Sequence, residues 1–150
     1  GAKGSSFVKE LEALTAGLGI ESSRVRLPGH CDDMAAAMLL ATLVVSASLE
    51  PEAFGRTVAE AGAMGTPVIA PNHGAAPEIV LHEATGWLVL PGDVGALAKA
   101  LANALRCPAA ELQMMGERAK GRVASHFSVA AMQTQTLAVY RELLCKKTTA

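Results

Sequence analysis

Aromatic residues are scarce in this chain of 150 residues, only 3% of the total, so any core must be assembled from aliphatic side chains. With 51% of the residues hydrophobic, and Ala, Leu and Val abundant, there is enough of that material for one close-packed α/β domain. Charge excess is also lacking: Lys plus Arg is 13 against 14 for Asp plus Glu, and the basic residues are scattered. That leaves no electrostatic reason to expect nucleic acid or an anionic membrane as partner. The three cysteines, Cys31, Cys107 and Cys145, form no Cys-x-x-Cys pair, so no metal is expected and the thiols read as reduced. No apolar run approaches the roughly 18 residues of a membrane span, and the first residues lack the apolar centre of a signal peptide. These absences predict a soluble, cytoplasmic chain. The start on Gly1 rather than Met suggests a piece of a longer protein. A dinucleotide fingerprint is missing too, because Gly17-Leu18-Gly19 follows a helical pattern instead of opening one.

Hydrophobic periodicity supplies the elements that are present. Phe7, Leu11, Leu14 and Leu18 recur at helical spacing and stop at Gly19, predicting a first helix over 7–18, with 1–6 as the only disordered stretch. Residues 24–28 read as a short strand ended by Pro28-Gly29. Asp32 or Asp33 then caps a helix from 34 to about 41. The apolar run 43–47 has the look of a strand covered on both faces. After a loop over 48–55 come a helix over 56–64, a strand over 68–70, a strand over 86–90 and helices over 94–106, 109–126 and 129–144. Leu97, Leu101, Met114, Met115 and Met132 are read as packing residues. Strands alternating with helices at this spacing imply a Rossmann-like parallel sheet flanked by helices, with ligands in the crevice beyond the carboxyl ends of the strands.

The richest loop in that position runs Ser48-Leu49-Glu50-Pro51-Glu52-Ala53-Phe54-Gly55. Glu52, at the exit of a strand, can accept hydrogen bonds from ligand hydroxyls. Gly55 permits close backbone approach, and the first amides of the helix at Arg56 and Thr57 form an anion site suited to a phosphate. Glu60 lies about one turn further along the same helix. Two carboxylates flanking a phosphate site suit a nucleoside diphosphate sugar, which carries vicinal hydroxyls on both its sugar and its ribose. His73 lies close to this crevice, whereas His82 and His126 are read as surface or helix-end residues. His30, Cys31, Asp32 and Asp33 are contiguous and cannot all converge on one metal ion without a looped backbone.

Glu52-Ala53-Phe54-Gly55-Arg56-Thr57-Val58-Ala59-Glu60-Ala61, followed by Ala63-Met64-Gly65-Thr66-Pro67-Val68-Ile69-Ala70, resembles the Glu-x7-Glu signature of retaining glycosyltransferases of the GT-B fold, group 1 or family 4 type. The likeness continues through His73-Gly74, Pro77-Glu78, Thr85-Gly86-Trp87-Leu88-Val89 and Pro91-Gly92-Asp93, covering about 11–144. It implies the C-terminal, donor-binding half of a two-domain enzyme that transfers a sugar with retention and needs no cofactor. On this resemblance Glu52 is the catalytic residue and contacts the donor sugar. The amides around Ala53, Phe54, Gly55, Arg56 and Thr57 hold sugar and phosphate, Glu60 binds the ribose, and His30 lies where the nucleobase is seated.

Three departures from the family pattern qualify the expectation. No Arg and Lys pair precedes the motif at the family distance, so the first strands of the domain are expected to be missing, along with the N-terminal acceptor domain. Ala75 stands where a second Gly is common after Gly74. The fragment alone is therefore expected to be inactive. The full enzyme is expected in lipopolysaccharide, exopolysaccharide or glycolipid synthesis, cytoplasmic and peripheral at the inner membrane through the missing domain. The alternatives are a nucleotide-sugar 2-epimerase-like enzyme and a non-catalytic assembly module, the latter forming a homodimer through an exposed sheet edge.

Overall fold

The computed structural model describes residues 6–147, so the disorder expected over 1–6 lies outside the described residues except for Ser6. The chain divides into two compact units, Gly1–Met34 and Ala35–Ala150. In the first, helix α1 spans Ser6–Gly17. It closes through Leu18 N–H to Leu14 O and Ile20 N–H to Thr15 O, both 3.0 Å, with Gly19 left-handed at φ 67°. This Gly-terminated closure satisfies carbonyls that the helix end would leave unpaired. The strand expected over 24–28 does not form: the segment follows a turn closed by Arg24 N–H to Glu21 O and runs on as irregular chain. A strand exists only as a member of a ladder, and among the described residues no segment pairs with this one.

The chain then enters helix α2, Met34–Leu40. The second unit holds a parallel sheet of three strands, β1 (Val44–Val45), β2 (Val68–Pro71) and β3 (Gly86–Val89), in the order β1-β2-β3. Val44 pairs with Val68, and Val68 in turn with Gly86. Around the sheet lie α3 (Arg56–Met64), α4 (Ala76–Ile79), α5 (Val94–Arg106), α6 (Ala109–His126) and α7 (Val129–Lys147). Side chains on β2 alternate. Val68 and Ala70 join Val58, Ala61, Ile79 and Val123 in one cluster, whereas Ile69 faces Ala100, Ala104 and Leu97 of α5 in another. The period of two along a strand is what puts consecutive residues into separate cores, and all four residues of β2 are buried.

Strand β1 is shorter and less covered than its apolar run suggests. Only Val44 and Val45 pair, and Val45 remains 39% exposed because β1 forms one edge of the sheet. Of the methionines read as packing residues, Met115 is buried while Met114 and Met132 stand exposed. Helix α6 buries Met115 and Gly116 together, and Met114, about 100° round the helix from Met115, falls outside that face. Helix α7 exposes Val129, Met132, Leu137, Tyr140 and Leu144 alike.

Asp93 caps α5 as its position before the helix predicts, accepting from Ala96 N–H at 2.8 Å. Helix α3 begins at Gly55 and ends at Gly65, both left-handed, and its C-terminal carbonyls accept from Gly65 and Thr66 N–H. Thr66, buried, turns its hydroxyl to Met38 O at 2.7 Å and ties α2 to this end of the helix. Two arginines of α6 perform a similar service for α4 and the loop after it. Arg122 donates to Ile79 O at 2.9 Å and Glu78 O at 2.6 Å, and Arg118 donates to Ala84 O at 2.7 Å.

Helix α6 reaches the end of α3 at a glycine. A Cβ added to Gly116 would lie 2.9 Å from the Gly65 carbonyl carbon and closer still to its oxygen, both backbone atoms that cannot yield separately. Gly116→Ala is expected to destabilise the fold by about 2–4 kcal/mol, despite the better helix propensity of Ala. Urea unfolding of the two proteins checks this; an unchanged midpoint would show that α6 does not pack on α3 at this distance.

Candidate donor-binding site

The chain leaves β1 still attached to the sheet, with Ser46 N–H donating to Ile69 O at 2.9 Å, and then forms the loop that ends at Gly55. Ser48 holds the first bend by donating its hydroxyl to Glu50 O at 2.9 Å. Gly55 is buried, at φ 69° and ψ 50°, where a side chain is strained. It serves as N-cap of α3, and no side chain caps the helix, so the opening amides at Arg56 and Thr57 are left to a ligand or solvent. Aligned peptide dipoles add a partial positive charge at the same place. Ala53 and Phe54 are exposed immediately before it.

The loop after β2 clamps this loop from the other side. Ala75 N–H donates to Glu52 O at 3.0 Å. Gly74, at φ 55°, comes so near that a Cβ would sit 2.6 Å from Glu52 O and 2.8 Å from Glu52 N. Ala75, by contrast, adopts φ −78° and ψ −14°, an ordinary helical conformation in which Ala fits as well as Gly. The left-handed requirement falls on Gly74, and the replacement of a second Gly by Ala leaves the turn intact.

Glu52 is exposed and lines a recess with Ser46, Ser48, Gly55, Pro71 and His73. The recess offers about 10 Å³, room for a single oxygen-sized group. Ser46, Ser48 and Pro71 also border a larger groove of about 350 Å³ that runs past Leu49, Leu90 and Leu97. Both lie at the carboxyl ends of the three strands, where a parallel sheet places its ligands. Glu60 is half-buried on α3 and accepts from Arg56, 2.8 Å from Nη2 and 3.2 Å from Nε. This pair spans one turn of helix and is solvent-exposed, so it steers the Glu60 carboxylate without adding much stability.

The structure thus gathers Glu52, Ala53, Phe54, Gly55, Arg56, Thr57 and Glu60 on one loop and the helix it opens. His30 belongs to the first unit, exposed, with Nε2 3.0 Å from Asp32 Oδ1. Ser46, Ser48 and Gly74 were not singled out as site residues by sequence reasoning. Ser46 and Ser48 alternate with Ala47 and Leu49 at the strand exit, a small signal masked by the apolar run before them. No cluster of three metal-type ligands occurs among the described residues.

The family model described as glycosyl transferases, group 1, matches residues 3–122. The chain belongs to this family. Its sheet and helices are those of the GT-B glycosyltransferases. It is 34% identical to the MMP alpha-(1->4)-mannosyltransferase of Mycolicibacterium hassiacum over 136 residues, which are 90% of this chain and 33% of that protein. The Anabaena protein Alr3699/HepE, solved in complex with UDP and glucose, superposes with a TM-score of 0.81 at 30% identity, covering 91% of this chain and 36% of its own. Sucrose-phosphate synthase of Thermosynechococcus elongatus does so with a TM-score of 0.81 at 31% identity, covering 97% and 37%. The group 1 chain therefore spans about a third of the length of the relatives it matches. No helix among the described residues is long and apolar enough to cross a membrane.

The contrast between Gly74 and Ala75 makes a sharp test of the clamp in this member of the glycosyl transferases, group 1. Gly74→Ala is expected to cost about 2–4 kcal/mol, because the methyl group meets the Glu52 backbone in a left-handed conformation. Ala75→Gly is expected to change stability by less than about 1 kcal/mol. Thermal unfolding of both variants measures the difference, and equal effects would contradict the clamp.

Proposed function

We propose that this chain is the donor-binding half of a retaining glycosyltransferase that uses a nucleoside diphosphate sugar. The observation that carries the reading is the uncapped start of α3 at a buried left-handed Gly55, with Glu52 on the loop before it and Glu60 on its first turns. The diphosphate sits at the amides of Gly55, Arg56 and Thr57, where oriented N–H groups meet negative charge without having to reorganise as the leaving group departs. Glu52 accepts from hydroxyls of the sugar, and the amides near Ala53 and Phe54 hold the same ring. Glu60, steered by Arg56, accepts from the ribose hydroxyls, and His30 lies on the segment assigned to the nucleobase. An acceptor domain preceding this one completes the enzyme, and the isolated chain is inactive. The likeness to a mannosyltransferase and to a protein solved with UDP and glucose supports a hexose donor.

We place the complete enzyme in the cytoplasm, associated with the inner membrane through that acceptor domain and serving lipopolysaccharide, exopolysaccharide or glycolipid assembly. A non-catalytic module is the reading favoured by one separate feature: α7 and the β1 edge leave apolar residues uncovered, which a second copy would cover.

Calorimetric titration with UDP, GDP and ADP separates the two. The donor reading expects at least one of them to bind, and Glu60→Ala to weaken it by about 10- to 100-fold, the loss of one or two charge-assisted hydrogen bonds. A dimer that binds none of the three would favour the module. In the complete enzyme, Glu52→Gln is expected to lower kcat far more than it raises the donor KM. Wild-type turnover by that variant would remove Glu52 from the reaction, and product analysis with a labelled donor would distinguish transfer from epimerisation.

A further inference from the structure

One side chain in the recess, that of His73, takes no part in the arrangement of Glu52, Glu60 and the α3 start. Both ring nitrogens of His73 are buried, and neither has a hydrogen-bond partner within the chain. Native structures rarely leave such groups unmatched, since the desolvation of an imidazole nitrogen is compensated only by a partner. A neutral imidazole always presents one N–H donor and one acceptor nitrogen, so its partner must be able to hydrogen-bond.

The surroundings select the kind of partner. His73 shares its recess with Glu52, Ser46 and Ser48, and no Lys or Arg lines it. The hydroxyl of Ser48 is already given to Glu50 O, so it does not supply the imidazole. A phosphate would call for cations or a row of amides, and of the α3 start only Gly55 lines this recess, without Arg56 or Thr57. The space, about 10 Å³, matches one hydroxyl-sized oxygen. Such an oxygen between an imidazole and a carboxylate uses both of its hydrogen-bonding capacities, accepting from the ring N–H and donating to Glu52. The backbone holds the two residues together, because Gly74 and Ala75, next to His73, are the ones locked against Glu52.

We propose that His73 is a specificity-determining residue of the donor site, donating a hydrogen bond from its imidazole to one hydroxyl of the sugar to be transferred, the same hydroxyl that Glu52 accepts from. The inference rests on the donor-binding reading and deepens it, because it assigns sugar selection to the loop after β2 as well as to the Glu52 loop. In the absence of sugar, a water oxygen has the same chemistry and size.

The test uses the 150-residue chain labelled with ¹⁵N, with UDP and UDP-glucose as probes. Backbone amides of Gly55, Arg56 and Thr57 report nucleotide binding, and the ring nitrogens of His73, assigned by their loss in His73→Phe, report the sugar contact. The expected result is that UDP and UDP-glucose both shift the amides, whereas only UDP-glucose shifts the His73 nitrogens. His73→Phe, which keeps a ring but removes both nitrogens, is expected to weaken UDP-glucose about tenfold and leave UDP unchanged, with His73→Gln recovering part of the loss. Amides that shift while His73 responds to neither probe, or equally to both, would overturn the sugar contact and leave the donor-binding reading standing. Amides that respond to none of UDP, UDP-glucose, GDP and ADP at millimolar concentration would overturn both. If the phenylalanine variant fails to fold, His73→Gln supplies the assignment, and the measurement on the unaltered chain decides the matter.

Discussion

The architecture of the site depends on two loops whose backbones touch. Glu52 lies on one and Gly74 on the other, so close that no Cβ fits between them, and the amide of Ala75 closes the contact on the Glu52 carbonyl. A flexible connection such as 46–55, following an edge strand, would sample many conformations, and its carboxylate would be held nowhere in particular. The contact removes that freedom at the residue that matters. Gly55 then turns the chain by a left-handed step, with its Cα against Ile79 and Ala75, and starts a helix whose first amides face away from any side-chain cap. Positive φ at two glycines is the steric condition for everything that follows.

The electrostatics of the site are those of backbone and carboxylate rather than of clustered cations. The one guanidinium at the helix start, Arg56, is turned to Glu60. A helix terminus attracts an anion weakly on its own, by some tenths to about 1 kcal/mol at an exposed position. The chain belongs to the glycosyl transferases, group 1, and spans about a third of the length of the relatives it matches. What the second unit contributes is direction, because its hydrogen-bonding groups are fixed before any ligand arrives.

Much of this was legible in the residues. The helices over 56–64, 94–106 and 109–126 have the boundaries their periodicity and flanking Gly, Asp and Pro residues predict, because local chemistry governs their ends. The Glu52 to Glu60 segment could be read for the same reason, a loop followed at once by a helix. Reading failed where the outcome depended on distant partners. Residues 24–28 have strand composition but no ladder, and the run 43–47 pairs over only two residues because it lies at an edge. The clamp between Gly74 and Glu52 joins residues more than twenty positions apart, and no pattern in either loop announces it. Met114 and Met132, read as core or inter-helix packing residues, stand exposed for a reason of the same kind, since their helices offer more apolar positions than the sheet can cover.

The hydrogen bonds from Arg122 to the Ile79 and Glu78 carbonyls have a further meaning. Four residues make too short a helix to persist unaided, so α4 borrows its permanence from α6, a helix of eighteen residues anchored in the interior. The wall of the crevice is thus fastened at the rear, behind the loop that meets the ligand. Side chains at its front can be exchanged without loosening the fastening, so the lining of the crevice can change while its foundation stays the same.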